Sequence, residues 1–310
     1  MTRFGRPFRL WLCLVLAGVP GAVRAGDWIQ VTSPHFLVQT DLSLENAREG
    51  AHGLEQLRTA VITAAWGRIS FPEGKRTALV VFGNDIEFET LYGRNMWATW
   101  SSNPPRIVTY GKPSRWAYRK SLTDDAGTSV VITALVSTLS KDVYDTYVPW
   151  FIHGLGEYFA TLELLDDGTR VQFGKVNSMA LRGYRAWRSV SMRQVWAWDG
   201  GYKGLGETEL AGYIGASWLA VHWMINTRPA GFVRYQTELA NAHSALDAWG
   251  AAFPDMPVDK LDAELERYVR AGDYKFYTLP MPKKVEVPLS DRPIPPADLA
   301  ELRRQLAAKN

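Results

Sequence analysis

The order of the patterns limits this fold more than anything else. Strand-like runs cluster before Ser121, and after it apolar residues recur mainly at helical spacing. Strands gathered on one side and helices on the other describe an α+β chain rather than an alternating parallel one. Residues 27–41, DWIQVTSPHFLVQTD, read as two short strands around a Ser-Pro turn. Residues 44–66 predict an amphipathic helix with Leu44, Ala47, Ala51, Leu54, Leu57 and Val61 as its stripe. TALVVFGN (77–84) predicts a buried strand, DIEFETLYG (85–93) a short helix closed by Gly93, and RIVTYG (106–111) another strand. RNMWATWSSNPP (94–105), between them, reads as a loop carrying Trp97 and Trp100. The expectation is a small N-terminal mixed sheet with helices, followed by a mainly helical half.

In that second half, DDAGTSVVITALVSTLSK (124–141) predicts one helix with Asp124 and Asp125 at its N-terminus. Pro149 opens a second helix, with proline in the first turn. DDGTRVQFGK (166–175) is a turn into a short strand. ELAGYIGASWLAVHWMIN (209–226) is apolar, but its length and polar residues mark it as a core helix rather than a membrane span. After Tyr277, LPMPKKVEVPLSDRPIPP (279–296) carries six prolines and reads as an extended linker. The last 14 residues predict a helix too short to stand alone, which docks back or binds a protein partner.

The N-terminus changes the charge argument. Arg3, Arg6 and Arg9, the apolar run LWLCLVLAGV (10–19) and the small residues of AVRA read as an export signal at 1–25, cleaved after Ala25. Removing its four arginines takes 35 Lys and Arg to 31, against 32 Asp and Glu, a net charge of −1. The basicity belongs to the signal, so no nucleic-acid footprint is expected. Cys13, the only cysteine, leaves with it, and no disulfide or thiolate metal site is expected in the remainder. The pattern fits a bacterial periplasmic or secreted protein, with one domain at 26–278 (sheet-rich 26–120, helical 121–278) and a tail at 279–310.

PWFIHGLGEYFA (149–160) places His153 and Glu157 one turn apart on a single helical face. Together with WIQVTSPHFLVQTD, LEQLRTA, ALVVFGN, FETLYG, VQFGK and ASWLAVHWMI, it resembles the peptidase MA-like family of exported gluzincin-type proteins, from about Trp28 to Val269. The resemblance implies a thermolysin-like frame in which one helix carries H-E-x-x-H and the next a third, glutamate ligand to zinc. In that frame Thr133 and Ser137 stand at the two histidine positions, Ala134 at the catalytic glutamate and His153 at the third ligand. All four positions depart from the pattern. The expectation is therefore a pseudopeptidase without zinc or other cofactor, which binds a peptide, an envelope component or a protein.

The resemblance also makes RIVTYG the edge strand of a binding groove, lined by Trp97, Trp100 and Tyr110, with Trp116 nearby. Glu157 takes a packing role or supports the ligand set. A hydrolase with a rewired site at Ser137, His153 and Glu157 is the alternative, although a mid-helix serine lacks an oxyanion hole. Otherwise Thr133, Ser137 and His153 would simply hydrogen-bond to one another. His35 reads as a fold residue, and His222, on its apolar helix, as a satisfied core histidine.

Overall fold

The structure is a computed structural model. It describes residues 27–67, 71, 75–94, 98–102, 104–116, 129–187, 190–202, 204–282 and 286–308. The signal at 1–25, Trp97, Asp124 and Asp125 lie outside them. The chain is α+β. Strands β1 (Ile29–Thr32), β2 (Phe36–Thr40), β3 (Thr77–Phe82), β4 (Ala98–Ser102) and β5 (Pro105–Tyr110) form a mixed sheet, completed from the C-terminus by β9 (Ser290–Pro293) in the order β4-β5-β3-β2-β1-β9. β2, β3 and β5 run parallel, and the β1–β2, β4–β5 and β1–β9 pairs are antiparallel.

The apolar run of β3 is explained by cover on both faces. Leu79 and Val81 meet α1 (Leu44–Ala65), whose predicted stripe is buried from Ala47 to Val61, with Ser43 capping its first turn through Asn46 N. Val80 and Phe82 point the other way, with Trp28, Val108 and Tyr110. There they meet Phe88 of α2 (Asp85–Tyr92) and Leu302 and Leu306 of α12 (Pro296–Ala307).

The tail is thus built into the body: its helix docks back, and the segment read as an extended linker supplies two strands. β8 (Tyr277–Pro280) adds a strand to a three-stranded sheet with β6 (Glu163–Leu165) and β7 (Arg170–Phe173), so a boundary at 278 falls inside a strand. β9 saturates the outer edge of β1, and α12 covers the second face of the sheet. Edge and face both need partners, and the tail supplies them. The groove strand also moves. β5 lies between β4 and β3, and the segment read as a loop contains the terminal strand β4 with Trp100 in it.

Behind the sheet, α4 (Val130–Val143) packs on α5 (Pro149–Phe159), and α5 on α8 (Glu207–Thr227), which also carries α6 (Ser178–Ala186). Further helices are α3 (Pro113–Trp116), α7 (Met192–Ala197), α9 (Pro229–Ala240), α10 (Ala245–Ala252) and α11 (Val258–Ala271). Trp150, Trp196, Trp249, Phe151, Tyr235 and Phe253 stack edge and face in one aromatic core, which takes three of the 13 tryptophans. No helix among the described residues is long and apolar enough to cross a membrane.

Candidate functional site

The α4–α5 interface, where the zinc frame would require its ligands, is packed shut. Thr133 is 5 % exposed and Ala134 fully buried. The Thr133 hydroxyl makes long contacts to the Ser129 and Gly156 carbonyls (3.4 and 3.5 Å). A Cβ added to Gly156 would lie 3.0 Å from Thr133 Cγ2, so glycine lets the two helices close there. Ser137 lies beside Tyr147, and His153 beside Gly200. Among the described residues no hydrogen bond joins Thr133, Ser137 and His153 to one another. These residues do not fit a zinc ion: two hydroxyls and one committed imidazole offer no three-ligand set. Among the described residues, no three His, Cys, Asp or Glu side chains are grouped to hold a metal.

On the outer side of α5 a different constellation forms. His153 and Glu157 share the exposed stripe of the helix, as the i, i+4 spacing requires, and both are partly buried. The segment WDGGY (198–202) folds over them. Asp199 Oδ1 accepts from Gly201 N at 2.7 Å, and Trp198 Nε1 donates to Gly201 O at 3.0 Å, which closes a tight turn. Gly200 sits at φ 82°, where a side chain would be strained and its Cβ would press on His153 Nε2 at 3.3 Å. The turn lays Trp198 against the His153 ring (centroids 4.8 Å apart) and sets Tyr202 edge-on at 6.1 Å.

Glu157 is held from the other side. Asn177 uses its carbonyl to cap α6 at Ala180 N (3.0 Å), which aims its amide at Glu157 Oε2, 2.8 Å away. Burial dominates its titration and pushes the carboxyl up to about 7, against the opposing Asn177 bond. Burial likewise drives His153 down to about 4, against the Gly200 bond. Tyr202 is pushed up to about 12, first by burial, then by Glu157 and Tyr147. At neutral pH the imidazole is uncharged, the phenol protonated and the carboxyl about half protonated. This surface is thus nearly neutral, with Tyr147 (46 % exposed) and Tyr202 (49 % exposed) beside it.

The other groove residues fall elsewhere. Tyr110 is buried against Phe88 at 5.0 Å on the sheet face away from α4. Trp116 is buried on Gly50 of α1, and Trp100 packs against the main core. A tryptophan in a polar-looking segment was filling a core rather than lining a groove. His222 is a core residue, fully buried with Nδ1 at 2.8 Å from the Tyr268 hydroxyl and Nε2 at 3.2 Å from the Gly174 carbonyl. His35 is bound to Glu55 (2.7 Å) beneath the β1–β2 turn. Sequence reasoning passed over Tyr147, Asn177, Trp198 and Tyr202. The available signal was the aromatic-flanked Asp-Gly-Gly turn at 198–202. No family model matches the chain, and no curated protein matches it.

Proposed function

We propose that this chain is an exported, gluzincin-like binding protein without peptidase activity, whose ligand sits in the cleft between α5 and the 198–202 turn. The carrying observation is the direct packing of Thr133 on Gly156, where a zinc peptidase would need its ligands. The export reading rests on the signal at 1–25 and the absence of cysteine after it. The ligand class follows from the walls. An uncharged imidazole, a protonatable carboxyl and two exposed tyrosines suit a neutral polar ligand with an apolar face, such as a short peptide or a cell-envelope glycan fragment. A protein partner held through 279–310 is not carried forward, because α12 spends its leucines on the sheet.

Titration of the full chain with short neutral peptides and envelope glycan fragments, followed by tryptophan fluorescence, tests the reading. Binding that is lost in Tyr202→Ala and His153→Ala, with no turnover of the same compounds, is the expected result. One tightly held zinc per chain with peptide cleavage would sink it. A second reading is favoured by one observation, the carboxyl of Glu157 near pH 7: it has the acidity of a general acid or base for a hydrolase. Turnover abolished by Glu157→Gln, with binding retained, would replace the binding protein by that enzyme.

A further inference from the structure

A cavity of about 190 Å³ lies on the sheet side of α4, away from His153 and Glu157. It opens where Phe36, Thr77 and Pro105 start the parallel strands β2, β3 and β5. Its walls carry four cations: Arg58 from α1, Lys75 and Arg76 just ahead of β3, and Lys141 from α4. Asp142 is the single carboxylate among the lining residues, and Lys75 Nζ holds it at 2.7 Å.

The neighbouring acid is already committed. Glu55 accepts from the Ser33 hydroxyl at 2.6 Å and from His35 N at 2.9 Å, and its other oxygen meets His35 Nδ1 at 2.7 Å. Arg76 donates through Nε to the Ser33 carbonyl at 2.9 Å, which orients its fork without engaging the terminal nitrogens. Arg58 stands over the Phe71 ring, 5.5 Å from its centroid, and has no hydrogen-bond acceptor among the described residues. Burial holds its guanidinium below the usual arginine range, although Glu55 and Asp142 oppose the shift. With Lys75 and Asp142 paired off, three cations face one recess. Such a cluster repels itself unless an anion enters, and planar guanidinium forks match the paired oxygens of a phosphoryl group.

We propose that this cavity is a binding site for a phosphoryl dianion, with Arg58 and Arg76 as forks and Lys141 at its edge. The recess admits one such group, either as free phosphate or a soluble monoester, or as the headgroup of a monoester lipid. Lys141 also borders the cleft, since its Nζ lies 5.6 Å from the Tyr147 ring. Arg58 does not, so its variants separate this site from the proposed cleft function.

Calorimetric titration of the full chain with inorganic phosphate, at ionic strength matched with chloride, is the soluble arm. Co-sedimentation with phosphatidylcholine vesicles containing phosphatidic acid is the lipid arm. Arg58→Gln is expected to weaken binding in the responding arm by about tenfold or more. Lys141→Gln, at an exposed position that cannot compromise folding, is expected to weaken it about threefold. Unchanged melting in phosphate-free buffer shows that both variants are folded. Response in the vesicle arm alone assigns the site to a lipid headgroup, and response to phosphate assigns it to a soluble ligand. No binding in either arm, or binding indifferent to both substitutions, overturns the proposal.

Discussion

Replacing Glu157 by glutamine should stabilise the protein, and increasingly so as the pH rises. In the folded chain the carboxyl titrates near 7 instead of its ordinary 4.5, because burial disfavours the charged form. Between those values the folded state keeps a proton that the unfolded state has released. Stability therefore falls as pH rises through this window. At about 1.4 kcal/mol per pH unit, the gap from 4.5 to about 7 corresponds to a loss of about 3 kcal/mol. Glutamine has no charge to bury and keeps an oxygen for the Asn177 amide. His153 and His222 act in the opposite sense. Each drops from 6.5 to about 4, so each loses stability as pH falls below 6.5. The wild-type profile mixes these slopes, but the difference between variant and wild type removes the histidine terms. Urea unfolding followed by tryptophan fluorescence, from pH 4.5 to 8, should give a difference near zero at the acid end. Above pH 7 it should rise to about 3 kcal/mol in favour of the variant. A difference that stays constant across the range would mean Glu157 is ionised in the folded protein, and the account of the cleft would fail.

Other outcomes follow from the same geometry. Leu306→Ala removes a side chain buried between α12 and the sheet and should cost about 2–5 kcal/mol in urea unfolding. A neutral effect would mean that α12 does not cover the core. Gly200→Ala forces a left-handed residue to carry a Cβ against His153 and should cost about 1–2 kcal/mol, with a shift in Trp198 fluorescence. An unshifted spectrum would separate the turn from the imidazole. Exposure to a chelator should leave the melting temperature where it was, since no ligand set among the described residues fits a structural zinc; a drop would contradict the packing at Thr133 and Gly156.

Elements with strong local periodicity were legible in the sequence. The α1 stripe, the β3 run and the α8 helix announce themselves within twenty residues, because their burial is repeated at a fixed spacing. β4 was hidden because the alternation of ATWSS covers only Ala98 and Trp100 and two prolines follow it, so its strand character comes from pairing with β5. β9, SDRP, carries no strand signal at all and is extended because β1 offers it an edge. The site divides in the same way. His153 and Glu157 were readable from one helix, whereas Asn177, Trp198 and Tyr202 reach it through turns whose tertiary position no local pattern encodes.

The partnership of β1 with β9 also sets a clock on folding. Thr32 pairs with Ser290 and Ile29 with Pro293, so β1 waits for residues made about 260 positions later. At about 5–20 residues per second, synthesis leaves that edge open for roughly 10–50 s after β1 and β2 exist. During that interval the row of unpaired amides on β1 is a template for any other extended chain. Loss of β9 would make the interval permanent. Damage there would show first as aggregation, before any loss of ligand affinity in the cleft.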